Sequence, residues 1–277
     1  MRKHLLSFFL LVISLVCRAH DGENFVASDL FASLQPGDKA ALLMVHFGTT
    51  HDDTRALTID AINQKAKEAF KDVELREAWT SRIVMRRLKA RGVEKLNPIE
   101  ALEKLKTDGY THVFIGNPLL YTPEDYEAVI AAIIKNGAKE GATLLVGHGT
   151  YTPATAQYAM LDYMLKEKGF KDYSVGTIEG YPTFDTMVAQ VKANGTKKVL
   201  LMPFMFVAGD HAKNDIAGEW KEMLEKEGFT VSAQLEGLGQ IPEIQEIFID
   251  HIRFGLKHRM LDIMTKKAAY AAGKDTE

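Results

Sequence analysis

Three residues in the second half of this chain have the types and spacing to hold a metal ion: His148, Glu179 and His211. Their two separations are nearly equal, and each is close to the ~30 residues that one strand–helix–strand unit occupies. Each stands beyond a short apolar run of the kind buried as a parallel strand: Thr143–Val146, Tyr173–Thr177 and Lys198–Met202. In open α/β sheets, ligands bind just outside the carboxyl ends of the strands. Three side chains carried past three successive strand ends are therefore expected to converge. Two imidazoles and a carboxylate suit a divalent first-row ion such as cobalt, iron, nickel or zinc. Gly147 and Gly149 flank His148, and glycine lets the chain turn where a side chain must be presented.

Other chemistries find no support. Gly147-His148-Gly149 lacks the third glycine of a dinucleotide fingerprint, and there is no Walker lysine loop, nucleophile-elbow serine or HExxH. The single cysteine, Cys17, lies in a segment expected to be removed, so no thiolate site remains. His46, in His46-Phe47-Gly48-Thr49, holds in the first half a place like that of His148 and is a candidate substrate contact. His51, His112, His251 and His258 read as surface or capping residues. Trp79, Tyr121 and Phe206 read as core aromatics near the same end of the strands, with Tyr121 also a candidate substrate contact. Arg82, Arg86 and Arg87 form a basic stripe that reads as a solvated helix face.

The elements that must position these residues alternate. Strand patterns at Lys39–Val45, Val73–Ala78, His112–Gly116, Thr143–Val146, Tyr173–Thr177, Lys198–Met202 and Thr230–Leu235 are separated by helical patterns, among them Arg55–Phe70, Ser81–Arg91 and Pro242–His258. Asn97-Pro98-Ile99-Glu100 carries a capping box. Alternation of this kind predicts right-handed βαβ units on parallel sheets. The halves also resemble copies: HFGT (46–49) parallels GHGT (147–150), Glu77-Ala78-Trp79-Thr80 parallels Glu179-Gly180-Tyr181-Pro182, and HVFIGNP (112–118) parallels KVLLMP (198–203). The expected fold is α/β, two pseudo-two-fold-related doubly wound domains of Rossmann-like or flavodoxin-like type, with a ligand cleft between them.

The expected boundaries are a signal peptide at 1–19, a lead-in at 20–38, a first half at 39–140, a second half with the metal site at 141–265, and a fraying tail at 266–277. Arg2 and Lys3 precede the apolar run Leu5–Val16 and the small residues Cys17 and Ala19, which is the pattern of a secretory signal. Export to a bacterial periplasm follows, with the mature chain starting near His20. Cleavage would remove three basic residues and no acid, making the chain more acidic than its formal net charge of −3. Such a surface argues against nucleic acid or anionic membrane as partners. No apolar run is long enough for a transmembrane helix.

LLMVHFGTT (42–50), VGHGT (146–150), IEGYP (178–182) and PFMFVAGDHAKND (203–215) together resemble the anaerobic-type sirohydrochlorin cobaltochelatases, class II chelatases related to ferrochelatase. The resemblance covers nearly the whole mature chain and is most specific at GDHAKND. It implies two similar α/β halves, the tetrapyrrole in the cleft, and a metal bound by two histidines and a glutamate, matching His148, Glu179 and His211. It further implies Co²⁺ or Fe²⁺ as substrate, no organic cofactor, His148 with Glu179 in catalysis, and a homo-oligomer. Arg55, Arg82, Arg86 and Lys213 are the cations expected to meet substrate carboxylates. The signal peptide points to the exported members, for which haem at a separate site and a carrier role in haem or metal transport are the alternative.

Overall fold

Short apolar runs alternate with helices through most of the chain. The computed structural model describes residues 25–116 and 123–272 and pairs those runs as two parallel sheets. Strand β1 (Phe25–Ala27) stands apart from both. β2 (Ala40–His46), β3 (Glu74–Trp79) and β4 (His112–Gly116) form the first sheet, in the order β3-β2-β4. β5 (Ala142–Gly149), β6 (Tyr173–Glu179), β7 (Lys198–Phe204) and β8 (Thr230–Ala233) form the second, in the order β6-β5-β7-β8. Each sheet puts its first strand in the middle, its second on one side and its third on the other. This repeated order is that of flavodoxin-like sheets, whose ligands bind where the winding reverses, between first and third strands. In the second sheet that crevice lies between β5 and β7.

The central strands are apolar because they are covered on both faces. Leu144, Val146 and Leu201 pack with Met187, Val188 and Val191 of the helix Phe184–Ala193, and with Ile216, Trp220 and Leu224 beyond His211. In the first half Ala41, Leu43 and Ala78 pack on Ala101 and Leu105 of the helix Pro98–Thr107. Each fully buried leucine there contributes about 1.5–3 kcal/mol. A third cluster, Ile59, Trp79 and Leu88, is joined by Phe206 and Val207, which follow β7. The chain leaving the second sheet therefore packs against the first half before it reaches His211.

Helix starts follow the capping chemistry. Asn97 Oδ1 accepts from the amides of Ile99 and Glu100 at 2.9 and 3.0 Å, while Glu100 accepts from the Asn97 amide at 2.9 Å. Ser81 caps Arg82–Lys89 and Thr183 caps Phe184–Ala193. The helix expected at 55–70 begins earlier, at Asp52, and runs through a π-helical turn, Ala56–Asp60, to Ala69.

Residues 38–251 form one compact unit, and residues 25–37 with 252–272 form another. In the second unit β1 pairs antiparallel with β9 (His258–Met260), and the Phe25 ring meets Phe254 edge-to-face at 5.1 Å. Ile263–Ala271 is helical, so the tail is ordered further than its composition suggests. The signal peptide expected at 1–19 and Tyr121 lie outside the described residues. Among the described residues no helix is long and apolar enough to cross a membrane.

Candidate metal centre

β5 runs three residues further than its apolar core and ends as Gly147-His148-Gly149, with His148 half-buried. Gly149 pairs in register with Glu179, the last residue of β6. The two strand ends touch through backbone. Gly149 has φ +77°, and a Cβ there would lie 1.7 Å from the Glu179 carbonyl oxygen. Gly180 has φ +88°, and its Cβ would lie 2.3 Å from the Thr150 carbonyl oxygen. Only glycine permits both the left-handed backbone and the close approach. Threonines fasten the turn beyond: Thr155 Oγ1 donates to the Tyr181 carbonyl at 2.8 Å, and Thr177 Oγ1 to the Pro182 carbonyl at 2.9 Å.

His211 arrives from the other side of the β5/β7 crevice. It opens a π-helical segment, His211–Trp220, which continues as the α-helix Lys221–Lys226. Its ring meets that of His148 edge-to-face, with centroids 4.7 Å apart. His148 Nδ1 lies 3.0 Å from the Gly149 carbonyl oxygen, which only accepts, so Nδ1 carries the proton. His211 Nδ1 lies 2.5 Å from Asp215 Oδ2, four residues on, and donates to it. Both imidazoles thus have Nδ1 held by an oxygen, which leaves Nε2 as the nitrogen that can meet an ion. Fixing one ring nitrogen on a carbonyl or carboxylate is how proteins orient metal-binding histidines.

Glu179 stands at the neighbouring strand end. Its carboxylate is not gathered with the two rings, and among the described residues no three His, Cys, Asp or Glu side chains are grouped as a metal site. The structure therefore brings two of the three expected ligands together and puts the third at the adjoining strand end.

The other expected residues fall as follows. His46 is only 3% exposed, with Nε2 2.8 Å from Asn63 Oδ1; Asn63 in turn donates to Glu77 at 3.0 Å, and Glu77 pairs with Lys95. Burial lowers its pKa, outweighing the Asn63 hydrogen bond and the Glu77 charge. It sits inside the first half rather than on an open face. Arg55 is engaged by Asp52 at 2.7 Å and Asp60 at 3.2 Å. Arg82 and Arg86 are exposed on the helix after β3. Trp79 is fully buried, as read.

Lys213 donates to Asp53 at 3.1 Å and lies 3.5 Å from His51 Nδ1. His51, read as a surface or capping residue, binds Asp210 Oδ1 through Nε2 at 2.6 Å. That hydrogen bond, with the Arg87 charge adding to it, holds the Asp210 carboxyl below its ordinary range. Asp215 was not singled out either, although its signal was present: an acid four residues after His211 in GDHAKND at a helix start.

The cobalt chelatase (CbiK) family model matches residues 40–116 and 111–256. The sirohydrochlorin cobaltochelatase of Salmonella typhimurium is 31% identical over 269 residues, spanning 83% of this chain and 100% of that protein. The sirohydrochlorin cobaltochelatase CbiKC of Nitratidesulfovibrio vulgaris is 28% identical over 257 residues, spanning 78% of this chain and 90% of that one. Among solved structures, SirB from Bacillus subtilis with Fe³⁺ superposes with a TM-score of 0.57 at 14% identity, covering 86% of this chain and all of that chain. At that identity the likeness is one of fold.

Proposed function

We propose, from the premise that the chain belongs to the cobalt chelatase (CbiK) family, that it inserts Co²⁺ into sirohydrochlorin, a metal-insertion step of cobalamin biosynthesis. The observation that carries this reading is the pair His148 and His211, each with Nδ1 held and Nε2 open, with ring centroids 4.7 Å apart at the switch point of the second sheet. Glu179 completes the set by swinging its side chain in from the adjoining strand end when the ion arrives.

In this reading the metal is substrate. The two Nε2 lone pairs and the Glu179 carboxylate replace water on Co²⁺, and the tetrapyrrole lies across the strand ends. Exposed aromatic side chains stand past three strands of that edge: Phe47 after β2, Tyr151 after β5 and Tyr181 after β6. Apolar surface of this kind, left open to water, suits a flat macrocycle. Insertion forms metal–nitrogen bonds and releases two pyrrole N–H protons. As the ion leaves His148 and His211, their Nε2 lone pairs become free to accept those protons, so the ligands that deliver the metal also act as bases. No electron changes hands. Of the four cations expected to meet substrate carboxylates, Arg82, Arg86 and Lys213 are exposed, but Lys213 already holds Asp53, and Arg55 is half-buried with Asp52 and Asp60.

The test is an anaerobic assay that mixes sirohydrochlorin and Co²⁺ with the chain from His20 onward and follows the change in tetrapyrrole absorbance. Many turnovers per protein molecule, abolished in folded His148→Ala, are expected. Tight binding with no rate above background would replace the enzyme with a carrier. Running Fe²⁺ in parallel sets the metal preference. We further propose the periplasm as its place of work and a homo-oligomer as its form. Expression of the full chain should yield a protein beginning near His20 in the osmotic-shock fraction, and a cytoplasmic chain that keeps residues 1–19 would contradict this.

A further inference from the structure

Between β7 and His211 the chain leaves the second half, where the Phe206 ring still meets Phe248 at 5.1 Å, and is tied to the first half by a series of contacts. Phe206 and Val207 pack with Ile59, Trp79 and Leu88. Thr54 Oγ1 donates to the Ala208 carbonyl at 3.3 Å. Asp210 Oδ1 meets His51 Nε2 at 2.6 Å, and its Oδ2 meets Arg87 at 3.4 Å. Lys213 meets Asp53 at 3.1 Å and His51 Nδ1 at 3.5 Å. The turn carrying His51 is braced in its own half by Arg91, which donates to the Thr50 carbonyl at 2.7 Å.

We propose that His51, with Arg87, is a positioning residue for the metal centre: by clasping Asp210 it fixes the place of His211 opposite His148. This rests on the reading of His211 as a metal ligand. The ring of His51 is not itself available to an ion. Lys213 donates to its Nδ1, and its proton, on Nε2, goes to Asp210. The second half thus carries both imidazoles, and the first half sets the geometry of one of them. Residues 205–209 are neither helix nor strand, and although the Leu238 and Gly239 amides donate to the Met205 and Phe206 carbonyls at 2.8 and 2.9 Å, the stretch nearest His211 has no strand or helix partner of its own. The clasp supplies what regular structure does not.

Asp210 and Arg87 are exposed, with side-chain accessibilities of 51% and 60%, and His51 is half-buried at 26%; ion pairs this open to water add little to global stability. Its effect therefore falls on metal affinity rather than on folding. Three folded variants of the chain from His20 onward, His51→Ala, His51→Gln and His211→Ala, would be titrated with Co²⁺ alone by calorimetry, and their melting temperatures recorded. His211→Ala is expected to lose Co²⁺ binding. His51→Ala is expected to weaken it by about tenfold, the low end of what removing an outer-shell partner costs. The melting temperature of His51→Ala should stay at the wild-type value, and His51→Gln, whose amide can still donate to Asp210, should recover most of the loss. Wild-type Co²⁺ affinity in His51→Ala beside a loss in His211→Ala would overturn the clasp and leave the metal site standing. Unchanged affinity in His211→Ala would overturn both. A His51→Ala whose affinity loss is matched by an equal fall in melting temperature, with no rescue by glutamine, would make His51 a folding residue and overturn the proposal.

Discussion

A histidine's role is decided by what its second nitrogen touches. His148 and His211 each give Nδ1 to an oxygen and keep Nε2, whereas His51 uses both nitrogens on neighbouring side chains and His46 gives Nε2 to Asn63 in a buried pocket. The sequence separates these residues only by position: His46 and His148 stand just past the end of a strand pattern with the same local signal, whereas His51 and His211 lie further along the loops that follow one. Burial tells them apart. His46 Nδ1 and Trp79 Nε1 are both buried with no hydrogen-bond partner among the described residues. His46 is therefore folded in as a neutral ring, with a pKa lowered from its ordinary 6.5. The unfolded chain takes up a proton there as pH falls below about 6.5 while the folded chain does not, so stability is full above that pH and is lost as pH falls toward the depressed value. Urea unfolding between pH 7 and 5 should show this loss in wild type and a flatter profile in His46→Gln. Equal slopes would remove His46 as the titrating group.

At the scale of elements, the metal centre depends on two strand ends that touch. Gly149 and Gly180 bring the turns after β5 and β6 into backbone contact, and neither tolerates a side chain. Gly149→Ala would force a left-handed alanine, costing about 1–2 kcal/mol, and would also push the Glu179 carbonyl away. The expected result is a folded protein that binds Co²⁺ at least tenfold more weakly, measured by the same titration used for His51; wild-type affinity would show that the contact is dispensable. The glycines beside His148 were visible in the sequence, but the turn they suggested lies only after Gly149, because β5 continues through all three residues and presents His148 from the strand itself. The pairing with Glu179 was not visible, because register between parallel strands depends on helices packed far away in sequence. The same limit explains the helix at 52–69. Its apolar periodicity marks the middle, but Asp52, Asp53 and Thr54 are polar and read as loop until Ile59 packs on Trp79.

For the whole molecule, repetition was the strongest signal. HFGT against GHGT and HVFIGNP against KVLLMP led to two sheets with the same strand order, which the structure shows. The β1–β9 ribbon carried no such signal, since each strand is three residues long and its partner lies at the other end of the chain. Nor did the sequence show that the first half holds the segment leading to His211; that follows from Phe206 and Val207 packing on Ile59, Trp79 and Leu88 of the other half, and both read equally well as ordinary core residues. The halves are thus copies in fold but unequal in role. In the proposed reading the second presents the ligands and the first braces one of them.

The most direct test of this account is a crystal of the chain from His20 onward soaked with Co²⁺ without oxygen and measured at the cobalt absorption edge. The account predicts one anomalous peak about 2.1 Å from Nε2 of both His148 and His211, with a Glu179 oxygen as the third protein ligand. A peak bound elsewhere, or at only one of the two imidazoles, would contradict it.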